Sequence, residues 1–136
     1  MELNDELYAQ ITKYSDIGEH YFEEGKFRKA LEAYNKAFEL IPEPKTDWEA
    51  SVWTLAAIGD SHYMLREFRS ALEYFTMLMT EYGEDNNPFA RVRYGECLYE
   101  TGDVEAAKEH LLAAYNIEGE EIFDNDKYLE AISDLI

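Results

Sequence analysis

Three stretches of the chain repeat one pattern of apolar and polar residues. Each has a glycine, an alanine twelve positions later and a large apolar residue four positions further on. A period of about 3.6 residues predicts amphipathic helices, and small residues at two facing positions let helices approach closely. We therefore expect three copies of one helical hairpin, with each glycine facing its alanine. The aligned residues are Gly18, Ala30 and Tyr34; Gly59, Ala71 and Phe75; and Gly95, Ala107 and Leu111.

Local signals mark the starts of two of these helices. Thr46 and Glu49 have the spacing of a capping box, in which a hydroxyl and a carboxylate satisfy backbone donors reciprocally. This predicts that the first helix of the second hairpin spans about residues 47–65. Asn87 precedes Pro88, which predicts an N-cap amide followed by a proline at the first helical position.

The repeated glycine, alanine and apolar positions resemble the tetratricopeptide repeat (TPR) family, whose unit is a helix–turn–helix of about 34 residues. In the family's register the repeats span 11–44, 52–85 and 88–121. The resemblance implies an all-α fold, a right-handed α-solenoid of three repeats that forms a single domain over 1–136. A C-terminal capping helix is predicted over about 124–135, because the apolar residues there fall on one helical face. Those residues are Tyr128, Leu129, Ile132, Leu135 and Ile136.

Charge and composition restrict the function. The 136 residues include 30 Asp and Glu against 12 Lys and Arg, which gives a net charge of −18. Nucleic acids and anionic membranes both require clustered cations, so neither is an expected partner. A hydrophobic content of 46% favours a folded chain over a disordered one. The acidic N-terminal residues are unlike a signal peptide and Cys97 is the sole cysteine, which together predict a cytoplasmic protein.

No residue pattern indicates catalysis, a cofactor or a metal site. The three histidines take different places in their repeats, and no pair has the spacing of metal ligands. Neither a phosphate-binding glycine loop nor a nucleophile motif occurs in the sequence. We therefore expect a protein that is not an enzyme and has no cofactor, with an enzyme or a metal-dependent protein as the alternative from another class.

The resemblance implies a concave groove lined by the first helix of each repeat, through its second, fifth, ninth, twelfth and thirteenth positions. In this chain the ninth position is always acidic and the twelfth is always aromatic. We expect the groove to bind a basic, partly apolar protein segment, since rings and carboxylates both attract Lys and Arg. The alternative is that the rings pack between hairpins and the acids only solvate this face. The predicted groove residues are Glu19, Phe22, Glu23, Trp53, Asp60, Tyr63, Phe89, Glu96, Tyr99 and Glu100.

The identity of the partner is a hypothesis at this stage. A small acidic TPR protein resembles bacterial immunity proteins, which suggests one that neutralises a toxin by masking its basic surface. The alternative is a secretion chaperone, or a general TPR scaffold or adaptor, that binds a peptide segment. We expect a monomer, with a dimer formed through residues 122–136 as the other arrangement.

One activity of the resembled family is disfavoured by charge. Some TPR domains bind the acidic C-terminal tails of heat-shock chaperones through a set of basic and amide side chains. The carboxylates at the matching positions would repel such a tail. Those positions hold Ser15, Glu19, Asp60 and Phe89, and only Arg93 has the required sign.

Overall fold

The computed structural model describes residues 3–136, and within them the chain forms seven α-helices, three 3₁₀ segments and no strand. The all-α fold predicted from the sequence is confirmed. None of the helices in this described part is long and apolar enough to cross a membrane. The helices are α1 (Asp5–Glu23), α2 (Phe27–Leu40), α3 (Glu49–Met64), α4 (Phe68–Thr80), α5 (Pro88–Glu100), α6 (Val104–Glu118) and α7 (Asp126–Ala131). The 3₁₀ segments are Lys45–Asp47, Glu120–Ile122 and Ser133–Leu135.

The chain divides into two compact units, Met1–Glu67 and Phe68–Ile136, which we call the first and the second unit. The first unit contains α1 to α3, and the second contains α4 to α7. The repeat predicted over 52–85 therefore has its first helix in one unit and its second helix in the other. The single domain over 1–136 stays a prediction.

A helical hairpin of α1 and α2 forms most of the first unit. Gly18 of α1 lies under the ring of Tyr34, and a Cβ atom on this glycine would come within 2.6 Å of Cε1 of that ring. The three nearest atoms to that position all belong to Tyr34, which lies one helical turn beyond Ala30 in α2. Ala30 itself is fully buried, and its expected place opposite Gly18 stays a prediction.

The start of α3 differs from the predicted capping box. Thr46 lies inside the 3₁₀ segment Lys45–Asp47, and Trp48 is the residue that precedes α3. No side chain caps this helix, so the predicted capping box is wrong, and α3 begins at Glu49 and ends at Met64. The physical reason is that Lys45, Thr46 and Asp47 form a 3₁₀ turn, so Thr46 cannot serve as the N-cap of the helix. Lys45 instead donates hydrogen bonds to the carbonyls of Phe38 and Ile41 at the end of α2.

In the second unit, α5 and α6 form a second helical hairpin. The predicted cap at its start is confirmed, because the Asn87 side chain accepts hydrogen bonds from the backbone N–H of Phe89 and Ala90. Gly95 repeats the arrangement of the first hairpin, since a Cβ atom there would lie 2.9 Å from Cγ of Leu111. Here too the nearest atoms belong to the large apolar residue, and the predicted alanine, Ala107, is fully buried.

The C-terminal capping helix is shorter than predicted. Helix α7 ends at Ala131, and a 3₁₀ segment follows. Tyr128 and Ile132 are buried in the core of the second unit, whereas Leu135 and Ile136 are about half exposed (49% and 53%). The prediction of one continuous apolar face is corrected, because a 3₁₀ turn has about three residues per turn and rotates later side chains off the helical stripe.

Candidate functional site

Five of the predicted groove residues lie in the first unit, and we call this set the acidic face. Glu19 and Glu23 of α1 are exposed, while the other three are half-buried. The charges of three of these residues act on the buried phenol of Tyr34. Burial, together with the negative charges of Glu19, Asp60 and Glu23, raises the pKa of Tyr34 to about 12. The residues of the acidic face are Glu19, Phe22, Glu23, Asp60 and Tyr63.

The aromatic ring of Phe22 has a packing partner within its own hairpin. It meets the ring of Phe27, the first residue of α2, edge to face at 4.9 Å between centroids. Phe22 stays half-buried, so one side of the ring is held and the rest reaches solvent. The ring is thus positioned by the hairpin beside Glu19 and Glu23.

The predicted groove acid of the third repeat lies inside the second unit rather than on its surface. Glu96 has no exposed area, and its Oε1 accepts a hydrogen bond from Nη1 of Arg93 at 2.8 Å. The guanidinium of Arg93 also donates to Asp124 at 3.1 Å and lies over the ring of Phe89 at 5.3 Å. We correct the predicted placement of Glu96, because a carboxylate taken out of water needs a nearby cation, and α5 supplies one three residues earlier.

Two further predicted groove residues of the second unit are contacted by its own α7. Lys127 donates to Oε2 of Glu100 at 2.6 Å, and the hydroxyl of Tyr128 donates to the same oxygen at 2.8 Å. The ring of Tyr99 meets that of Tyr128 edge to face at 5.7 Å, and Nζ of Lys127 lies 5.4 Å from the Tyr99 centroid. Tyr99 and Glu100 therefore hold a lysine and a tyrosine of the same chain.

The family is decided by a comparison of the sequence with known families. The model described as "Tetratricopeptide repeat" matches residues 9–80, more than half of the chain. The chain belongs to the TPR family. It is 23% identical over 128 residues to "Heat shock protein STI1" of Saccharomyces cerevisiae, and the match covers 93% of this chain. It covers 22% of that relative, so the chain spans about a fifth of the relative's length.

Two solved structures have the same fold as this TPR chain. One is the first TPR of Spaghetti (RPAP3) bound to the HSP90 peptide SRMEEVD, at 16% identity and a TM-score of 0.67, with 93% of each chain covered. The other is PcrH from Pseudomonas aeruginosa, at 15% identity and a TM-score of 0.70, with 98% of this chain and 95% of that chain covered. Proteins of the TPR family are typically non-enzymatic scaffolds, and the repeats indicate a protein–protein interaction module.

The ninth TPR position is thus acidic in all three repeats but has three different environments. Glu19 is exposed, Asp60 is half-buried, and Glu96 is buried against Arg93. The sequence does contain a signal for this difference in burial. Only the third repeat has an arginine three residues before its acid, whereas the first and second repeats have Asp16 and Ala57 at that position. Position in the TPR register gives the direction of a side chain, but the neighbouring residues decide its exposure.

Trp53, the remaining predicted residue of the first unit, lines a cavity of about 470 Å³. Tyr8 and Trp48 form other walls of this cavity, and the sequence analysis missed both. Tyr8 precedes the first TPR repeat and Trp48 lies between the first and second, so the repeat register assigns neither residue a position. Phe89, in the second unit, packs edge to face against Phe75 at 6.1 Å.

The histidines take part in local polar contacts. Nδ1 of His62 lies 2.8 Å from Oε1 of Glu67, whose other oxygen accepts a hydrogen bond from Arg28 at 2.6 Å. The guanidinium of Arg28, followed by His62, holds the pKa of Glu67 below its usual value. Across residues 3–136, no group of three His, Cys, Asp or Glu residues has the geometry of a metal site.

Proposed function

We propose that this TPR chain binds a basic protein segment through the acidic face of the first unit and acts by occupying that segment, not by catalysis. The observation that supports the proposal is the pair of exposed carboxylates on α1, Glu19 and Glu23, whose charges, with that of Asp60, act on the buried Tyr34 phenol. Exposed carboxylates make charge-assisted hydrogen bonds with Lys and Arg, and an aromatic ring such as that of Phe22, the residue before Glu23, adds cation–π attraction. The net charge of −18 steers a basic partner toward the protein.

The sign of the acidic face argues against an acidic peptide as the ligand. The peptide SRMEEVD, which the first TPR of RPAP3 binds, has two glutamates and an aspartate near its end. In this chain the corresponding groove positions include Glu19 and Asp60, so such a peptide would meet like charges. Arg93, the cation at these positions, is nine-tenths buried and bonded to Glu96 and Asp124. A basic segment fits this surface better.

In its most specific form, the proposal is that the chain is an immunity protein that masks a basic surface of a toxin. It would act as a monomer in the cytoplasm, where the buried thiol of Cys97 stays reduced. Co-expression with the product of the neighbouring gene tests this form. We expect the pair to form a complex and the chain to suppress toxicity; a toxic neighbour that stays toxic and forms no complex contradicts it.

The alternative is a secretion chaperone, scaffold or adaptor for a peptide segment, which predicts a different ligand. A chaperone of this kind would bind an extended peptide, whereas an immunity protein would bind a folded domain. Titration of the purified chain with the partner's folded domain and with overlapping peptides from it distinguishes the two.

The binding surface itself is tested by a matched pair of double variants. Glu19→Gln with Glu23→Gln removes two charges from the acidic face, and Glu39→Gln with Glu81→Gln removes two exposed charges elsewhere. Partners retained from the native cell at low and high salt are identified by mass spectrometry, and their affinities are then measured by calorimetry. We expect the first variant to bind about tenfold more weakly, which corresponds to about 1.4 kcal/mol, and the second to bind nearly as the parent does. Equal binding by both variants, or retention that rises with salt, would refute the proposal.

A further inference from the structure

The first unit has a cavity that is lined by three aromatic rings and two carboxylates. Its volume of about 470 Å³ is within the range of ligand sites. It lies where the 3₁₀ segment Lys45–Asp47 leads into α3, and its walls are the rings of Tyr8, Trp48 and Trp53. We propose that this aromatic cavity binds the cationic side chain of a lysine or an arginine from a protein partner. It shares no residue with the acidic face, and the inference does not depend on the function proposed above.

One wall of the aromatic cavity is rigid and the other two reach solvent. Nε1 of Trp48 donates a hydrogen bond to the carbonyl of Pro42 at 3.0 Å, and the indole packs against the core of the first unit. Trp53 is 38% exposed and Tyr8 is 52% exposed. An entering side chain would therefore meet a ring fixed by the fold and two rings that are open to solvent. Tryptophan has the strongest cation–π attraction of the aromatic side chains.

The charges at the aromatic cavity favour a cation over a neutral apolar group. Asp47 and Glu49 line it, and among the described lining residues none is a lysine or an arginine. Neither carboxylate forms an ion pair with the residues that the structure describes. Lys45, which is close in sequence, points instead to the carbonyls at the end of α2. The carboxylates are thus available to pair with an incoming ammonium or guanidinium group.

A metal ion is a poor fit to the same aromatic cavity. Hard cations require six or more oxygen ligands at about 2.0–2.6 Å. The side chains of the described lining offer only the two carboxylates of Asp47 and Glu49 and the phenol oxygen of Tyr8. An organic cation fits because its charge is attracted to the ring faces while its methylene groups replace water along the apolar walls. This combination of rings and carboxylates is the chemistry by which a long cationic side chain is recognised.

The protein has a built-in reporter for this test. Its two tryptophans, Trp48 and Trp53, both line the aromatic cavity. Intrinsic fluorescence and the two indole N–H signals in a ¹H–¹⁵N spectrum therefore report on this site. The probes are N-acetyl-lysine amide, N-acetyl-arginine amide and N-acetyl-norleucine amide, the last being a neutral analogue of lysine. We expect both cations to shift the indole signals in a saturable way and norleucine to bind at least fivefold more weakly.

Variants separate the contributions of the rings and the charges. Trp53→Leu removes a partly exposed ring, and we expect the lysine probe, followed at the Trp48 indole, to bind about fivefold more weakly. Asp47→Asn with Glu49→Gln should weaken it to a similar extent, whereas Glu43→Gln, an exposed carboxylate outside the lining, should not. Far-UV circular dichroism confirms that each variant is folded.

Three results would overturn this inference. They are no indole shift with either cation, equal binding of norleucine and lysine, and equal weakening by Glu43→Gln. The indole signals report on the aromatic cavity whether or not a partner binds the acidic face. Failure here therefore leaves the proposed function standing, and failure of the Glu19 and Glu23 variants leaves this inference standing.

Discussion

Replacement of Glu96 by glutamine tests whether the acid at the ninth position of the third repeat stabilises the fold. The substitution keeps the shape of the side chain and removes its charge. The carboxylate has no exposed area and Arg93 is 8% exposed, so the change leaves a guanidinium group with its nearest buried counter-ion removed. We expect the second unit to lose stability, because a buried charge without its partner keeps its desolvation cost.

The size of this effect follows from the ion pairs of the guanidinium group with Glu96 and Asp124. Removal of one partner from a buried ion pair costs about 3–5 kcal/mol. Asp124 still accepts a hydrogen bond from Nη2 of Arg93 at 3.1 Å, but this carboxylate is 74% exposed and offsets only part of the loss. We therefore expect a cost near the lower limit, about 3 kcal/mol, out of a total stability of about 5–15 kcal/mol.

The assay is urea unfolding followed by circular dichroism. Glu73→Gln on α4 is the control, since it makes the same change at an exposed site in the same unit. A double variant, Arg93→Met with Glu96→Leu, removes both charges and should cost less than the sum of the single variants Arg93→Met and Glu96→Leu, with a coupling of about 2 kcal/mol. If Glu96→Gln lowers the free energy of unfolding no more than the control does, or if the effects of the single variants simply add, the Glu96 carboxylate does not act as a buried counter-ion of Arg93.

Three other predictions concern single contacts. Gly95→Ala should cost about 1–2 kcal/mol in urea unfolding, because overpacking against Leu111 outweighs the helix propensity gained; an unchanged midpoint would contradict this. Tyr34 should ionise at a pKa of about 12, measured as the difference in absorbance at about 295 nm between the parent and Tyr34→Phe. Folding favours the neutral phenol, so the contribution of Tyr34 to the free energy of unfolding is complete below pH 10 and is lost as the pH rises to about 12. The Tyr34→Phe variant should not show this decrease. Lys127→Met should cost about 1 kcal/mol at low salt and less at molar salt, because its ion pair with Glu100 is partly exposed; equal costs at both salts would argue against an electrostatic origin.

The hairpins could be predicted from the sequence because their signals are local. The spacing of apolar residues fixes which face of a helix is buried, and Asn87 followed by Pro88 specifies one helix start without tertiary help. The start of α3 could not be predicted this way. A capping box and a 3₁₀ turn compete for the same residues, and the hydrogen bond of Trp48 to Pro42 favours the turn.

The candidate sites were less predictable because exposure depends on neighbours that a repeat register ignores. The register placed Glu19 and Glu96 as equivalents, yet one is exposed and the other is a buried counter-ion. It also gave no position to Tyr8 or Trp48, which lie outside the repeats and meet Trp53 only in the folded chain. A repeat alignment identifies residues that point in the same direction, whereas a binding site depends on what each one contacts there.

The second unit already contains an example of the contact that the proposed function requires. Nζ of Lys127 lies over the ring of Tyr99, at the twelfth position of its repeat, and binds the carboxylate of Glu100 at the thirteenth. The first repeat has the same pair of chemistries at the same two positions, Phe22 and Glu23, and there the carboxylate is exposed. Because both pairs are successive residues of the first helix of a repeat, a lysine that reaches the first repeat would meet the same two groups, a ring and a carboxylate, that contact Lys127. The second repeat has Tyr63 followed by Met64 and lacks the carboxylate, so a cationic residue of the partner is better matched to the first repeat than to the second.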